Sequence, residues 1–199
     1  MQPVPGPYPA QLVFAPPERI ANWRPLVQWL LAVPHFMVLY ALRSVVEILA
    51  VISWFIIVFT GGLPDGIARV QAMFLRYQAR VSLYAGFLQE EYPPFNFDTV
   101  SADPNDVSRL RVDLQPELQN RNRVTVGFRL ILAIPQAIVL VVLWLAAVVV
   151  FIFGFFAVLF TGHWPEGLRM FVLNVIRYQL RFEAYLFLLT DRYPPFALN

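Results

Sequence analysis

The chain has no cysteine and no lysine, and only two histidines, His35 and His163, among its 199 residues. Without cysteine, neither a disulfide framework nor a thiolate metal site can form. All 15 cationic side chains are arginine, and 13 acids leave a net charge of only +2. The arginines are scattered, which argues against a nucleic-acid-binding face. Charged residues make up 14% of the chain, well below the roughly 25% usual in soluble domains. Hydrophobic residues reach 58%. A chain of this size cannot bury so much apolar surface in its own core, so part of it is expected to face lipid. The opening MQPVPGPYPAQ has neither the cationic n-region nor the apolar h-region of a cleaved signal peptide.

Signatures of catalysis are also missing. No phosphate-cradling glycine loop and no nucleophile elbow occurs. Neither histidine is accompanied by the carboxylates that a metal site would need. Glu90-Glu91 correspond to Asp191-Arg192 further along the chain and read as a solvated helix end rather than an acid/base pair. The expectation is therefore no enzyme, no catalytic residue, no metal and no cofactor.

What the chain does contain is a duplication. RYQARVSLYAGFLQEEYPPF (Arg76–Phe95) and RYQLRFEAYLFLLTDRYPPF (Arg177–Phe196) share Arg-Tyr-Gln-x-Arg, a following Tyr and a closing Tyr-Pro-Pro-Phe. Each shared residue lies 101 positions from its twin. The same offset matches Pro34 with Pro135, Phe59-Thr60-Gly61 with Phe160-Thr161-Gly162, and Pro64 and Gly66 with Pro165 and Gly167. Residues 1–95 and 109–199 are thus two copies of one unit, joined by a polar linker over 96–108.

In the second copy, Leu130 to Phe160 is a run of 31 residues without a charge. At about 1.5 Å per residue this reaches roughly 46 Å as one helix, and two spans would need about 40 apolar residues plus a turn. No turn signal interrupts IVLVVLWLAAVVVFIF. One long helix is expected, kinked at Pro135, with a twin over Asn22–Phe59 kinked at Pro34. Arg43 and Glu47 leave open a split of the first copy into two short segments. TGGLPDG and TGHWPEG then stop each long helix, glycine capping it and proline with an acid restarting the chain. A second helix runs back to about Leu88 or Leu189 and ends before Tyr-Pro-Pro. Its closing aromatics suit a membrane interface. SRLRVDLQ (Ser108–Gln115) alternates like a strand, and AQLVFAPP is its weaker partner. The fold class is an all-α membrane protein, a tandem duplication of a helical hairpin, with a small cytoplasmic β pair.

Eight arginines flank the termini and linker, against Arg69 and Arg169 near the hairpin tips. The positive-inside rule then gives a multi-pass inner-membrane protein with cytoplasmic termini and external tips. On the returning helices, Arg76, Arg80 and Tyr84, and their twins Arg177, Arg181 and Tyr185, recur at steps of four and read as one stripe. Arg80 lies at a depth similar to Glu47, so a Glu47–Arg80 ion pair is expected. Arg181, facing Val148 rather than an acid, is left to Glu183 or the other repeat. Two functions are weighed. One is an accessory or scaffold subunit, with Ala146, Ala147, Gly154 and Ala157 as a close-packing face for another helix. The other is a lipid head-group or anion site built from the arginine–tyrosine stripes. Partners would be membrane lipids, other membrane subunits or a second copy, and no nucleic acid.

LLAVPH (Leu30–His35), FTGGLPDG, RYQARVSLY and YPPF resemble a bacterial membrane family known as domain of unknown function 4389. LLTDRYPPF (Leu188–Phe196) fits its ending closely, and FLQEEYPPF departs from it at Gln89-Glu90. The resemblance covers nearly the whole chain, twice, and implies a bacterial membrane protein without supplying an activity.

Overall fold

The computed structural model describes residues 7–100, 103 and 109–198. Asn105, most of the linker and the first six residues lie outside the described residues. The element order is β1 (Ala10–Phe14), α1 (Arg24–Thr60), α2 (Asp65–Ala85), β2 (Leu110–Leu114), α3 (Arg123–Gly127), α4 (Arg129–Thr161) and α5 (Glu166–Leu186). Each copy is a hairpin of one long and one shorter helix. The long helices run unbroken through Pro34 and Pro135, so the two-segment alternative does not occur. Both stop on a left-handed glycine, Gly61 at φ 77° and Gly162 at φ 72°. The threonine before each glycine accepts from the backbone two residues on, Gly62 N at 3.3 Å and His163 N at 3.1 Å.

The returning helices end earlier than the prolines require. Phe87 and Leu188, twins, adopt left-handed φ of 57° and 64°. Leu88 N then bonds back to Leu83 O at 3.0 Å and Leu189 N to Ala184 O at 2.9 Å. This is a left-handed C-cap made without glycine. The conformation is unfavourable for a side chain, and burial of both rings and branches in the core holds it in place.

β1 and β2 pair antiparallel with Leu12 opposite Val112, as the alternating segments lead one to expect. The ribbon, α2 with α5, and α1 with α4 form three successive layers. Arg177 of α5 reaches the ribbon at Leu12 O, while Arg43 of α1 reaches α5 at Glu183 on its other side. In α1 the buried positions Gln28, Ala32, His35, Val46, Ser53 and Ile57 form one narrow stripe along the whole helix. Steps of four, three, eleven, seven and four keep those residues on a single face. α4 repeats the pattern from Ala133 to Val158. Off that stripe both helices are mostly apolar, and many of their large side chains are exposed.

The two copies exchange their ends. Leu63 N donates to Leu118 O at 2.8 Å and Arg121 N to Gly61 O at 3.0 Å, while Ile20 N donates to Gly162 O at 2.8 Å. Each hairpin tip therefore sits on the segment that leads into the other copy's long helix, so α1 and α4 run antiparallel. This overturns the expected separation of tips from linker by a bilayer. Groups 3 Å apart cannot lie on opposite sides of a hydrocarbon layer about 30 Å thick. An offset alone could not reveal this, because it says that two units are alike and not how they are docked.

The expected close-packing face also divides. Ala147 is buried, and Gly154 lies against the Trp164 indole of the same chain, so tightly that a Cβ there would meet the ring at 2.0 Å. Those positions are filled from within.

Candidate functional site

The repeated Arg-Tyr-Gln-x-Arg segments sit at the middle of the molecule, on the layer between ribbon and long helices. A step of four residues advances a helix by about 40°. Three members of the expected stripe therefore roll across two faces. Arg76 and Arg80 point to the ribbon and linker, whereas Tyr77 and Tyr84 face α1. The α5 residues divide in the same way.

Each guanidinium is met by the chain itself. Arg76 Nη1 donates to Val100 O at 2.8 Å, and Arg80 pairs with Asp103. Asp103 in turn accepts from Val112 N of β2 at 3.0 Å, so this pair ties α2 to the ribbon. Arg177 donates to Leu12 O at 3.1 Å and to Asn174 at 2.9 Å. Arg181 donates to Ala197 O at 2.6 Å. Burial lowers the pKa of Arg76, an effect opposed by Asp103, and burial alone lowers that of Arg177.

Neither expected ion pair forms. Glu47 is bound by Arg43, one turn away on the same helix, at 2.9 Å. Arg80, whose side chain points to the ribbon, is on the far side of α2 from it. Glu183 does not meet Arg181 either. It is 4% exposed and accepts from Arg43 at 3.1 Å, Gln78 at 3.2 Å and Gln179 at 3.1 Å. Arg43–Glu183 is thus a bridge between the repeats.

The tyrosines inside Arg-Tyr-Gln are the residues the sequence reading passed over. Tyr77 OH lies 2.6 Å from His35 Nδ1, and Tyr178 OH donates to Gln136 Oε1. His35 and Gln136 are twins on the long helices, so one latch is built twice with different chemistry. The Tyr-Pro-Pro-Phe tails fold back over these latches while their rings stay exposed at the surface, Tyr92 and Phe95 in the first copy and Tyr193 and Phe196 in the second. The Phe95 ring stacks on His35 at 4.3 Å, and Gln136 Nε2 donates to Pro194 O at 2.7 Å. Tyr92 meets Tyr84 edge to face at 5.5 Å, as Tyr193 meets Tyr185. A twinned polar residue beside each twinned proline, 42 positions before the tyrosine, was the available signal.

Asp191 is no solvated helix end. It accepts from Arg121 at 2.7 Å and from Asn122 N at 2.8 Å, and it also holds Arg129. Both guanidiniums are buried, with side chains 0% and 1% exposed, and Arg129 lies 3.9 Å from the Tyr185 ring centroid. Burial would raise the Asp191 pKa, but the bonds from Arg121 and Asn122 and the charge of Arg129 hold it below the usual value. Its twin Glu90 is held more lightly, by Ala21 N and by Arg24 at 3.9 Å.

One cleft of about 330 Å³ opens beside Arg80, lined also by Arg19, Arg109, Glu91 and Tyr92. Around the twin positions Arg181 and Arg192 stands Tyr8, whose hydroxyl donates to Arg181 O at 3.3 Å and Arg192 O at 3.0 Å. Among the described residues no three histidine, aspartate or glutamate side chains come together as a metal cluster.

No curated protein and no solved structure matches the chain significantly. The family described as domain of unknown function (DUF4389) matches it twice, over residues 22–96 and 123–197. These spans bracket each long helix, returning helix and Tyr-Pro-Pro-Phe tail, and the chain belongs to the DUF4389 family as two tandem copies.

Proposed function

We propose that the protein is a non-catalytic accessory module seated in the inner membrane by one face. α1 and α4 lie in the apolar layer, α2 and α5 lie near head-group level, and the ribbon stands in the cytoplasm with the termini. The observation that carries this reading is where the exposed apolar side chains fall. Fourteen large ones are exposed on α1 and fourteen on α4, against Met170 alone on α2 and α5. Only 17% and 11% of the most apolar windows of α1 and α4 are buried. At even ~1 kcal/mol for each half-exposed side chain, contact with water would outweigh the roughly 5–15 kcal/mol that stabilises a domain.

A seat on one side fits better than helices standing across the bilayer. Upright helices would carry the ribbon, with exposed Arg111 and half-buried Asp113, into hydrocarbon at mid-depth, where charges are costly. The excess of arginine near termini and linker supports the cytoplasmic side. Spin labels at Ile48 and Val149, compared with one at Arg111, test this in reconstituted vesicles. Labels at Ile48 and Val149 should collide with oxygen dissolved in lipid, and the Arg111 label with an aqueous nickel complex. Aqueous access at Ile48 and Val149 would defeat the proposal.

A second reading keeps the lipid head-group or anion site, now reduced to one cleft that Arg19 and Arg80 of the first copy share with Arg109 of the second. The cleft beside Arg80, with Arg19 and Arg109 on its wall, favours it. Retention of anionic lipid should then fall in an Arg19→Ala/Arg109→Ala variant and stay unchanged if the cleft holds no anion.

A further inference from the structure

We infer that a second copy of this chain docks on α1, antiparallel, about a two-fold axis level with Val45. Arg43 and Glu47 are the only charges in α1 after its first residue, and their side chains are 42% and 55% exposed. In α4 the twin positions are Trp144 and Val148. One ion pair therefore interrupts a face that is otherwise apolar along both long helices.

The surroundings of that pair are self-complementary. Phe36, Tyr40, Arg43, Glu47, Ala50 and Trp54 alternate by four and three, the spacing that forms a helix-pairing seam. Over these positions the seam is about 27 Å long. Antiparallel pairing about Val45 sets Arg43 against the partner's Glu47 and Tyr40 against the partner's Ala50. It also sets Phe36 against the partner's Trp54.

Two observations favour that occupant. Beside Ala50 and Trp54 runs a mostly apolar groove of about 470 Å³, closed by Leu130 and by Leu186 to Leu188. Tyr40, at 79%, is the most exposed large apolar side chain among the described residues, and the register delivers it to that groove. Within one copy Arg43 commits Nε to Glu47 Oε1 and Nη1 to Glu183. Its Nη2 and the Glu47 Oε2 remain to be exchanged reciprocally, as an isologous contact requires. Since α4 lacks the charges, the contact closes as a dimer and does not propagate.

The absence of native cysteine makes the test direct. Tyr40→Cys and Ala50→Cys are introduced together in the full chain and treated in native membranes with a short bismaleimide. Within one copy the two positions are about 15 Å apart along the helix, beyond such a linker, so covalent product must be dimeric. A cross-linked dimer is expected. Adding Glu47→Arg, which sets arginine against the partner's Arg43, should abolish it while the helical circular dichroism signal persists. A chain that stays monomeric without Glu47→Arg overturns the inference. So does a cross-link that survives Glu47→Arg, which would mean contact through another face or through random collision.

Discussion

Arg121 N donates to Gly61 O across the repeat boundary, and the Arg121 side chain reaches on to Asp191 at the far end of the chain. A single residue thus fastens the tip of the first hairpin to the tail of the second. The copies are interlocked, and the interlock relies on a few buried polar groups whose loss has calculable consequences.

Replacing Asp191 with Asn leaves two buried guanidiniums without their shared carboxylate. We expect a loss of about 3–5 kcal/mol, the usual cost of stranding a buried charge. Denaturant unfolding in micelles at neutral pH measures it. The same carboxylate makes stability depend on pH. Its folded pKa lies below the unfolded value of about 3.9. Its contribution is complete above that value and is lost as pH falls through the lower folded one. The wild type should weaken below about pH 4, and this step should be absent from Asp191→Asn.

The paired latches permit an exchange experiment. His35 holds Tyr77 as Gln136 holds Tyr178. His35→Gln should therefore be tolerated, whereas His35→Ala should cost more by leaving the Tyr77 hydroxyl buried and unsatisfied, about 1–3 kcal/mol. Equal losses for both variants would show that the hydrogen bond is not what the position supplies.

Gly154 and Trp164 are matched in the first copy by Ser53 and Leu63, so small against large is replaced by medium against medium. Gly154→Ser alone should destabilise by about 1–3 kcal/mol through overpacking against the indole. Combining it with Trp164→Leu, which reproduces the first copy, should recover part of that loss. The two substitutions are in contact, so their effects should not add. Thermal unfolding of the single and double variants measures this coupling.

Much of this architecture is legible in the residues, for reasons that are local. Gly61 and Gly162 announce the helix ends because left-handed backbone favours glycine. The uncharged run from Leu130 leaves no place for a turn, and the alternation around Leu110–Leu114 marks a strand. Contacts between residues far apart in the chain are not local. Asp191 and Asp103 look like ordinary surface acids, and only the folded chain shows that they neutralise Arg121 and Arg80. The rolled stripe has another cause. Steps of four keep Arg76 near Arg80 but carry Tyr84 onto the next face, beside Tyr77, where the long helix lies. Phe87 and Leu188 end their helices in a conformation no propensity would assign to them, because burial outweighs it.

The central claim is that both hairpin tips share one side of the membrane with the ribbon. Single cysteines at Gly66 and Gly167, where a side chain meets nothing within 4 Å, and at exposed Arg111 test it with a membrane-impermeant thiol reagent. In intact cells all three should stay unlabelled, and in inverted vesicles all three should react. Labelling of one tip from outside while the other stays protected, as antiparallel long helices standing across the bilayer would give, would contradict the account.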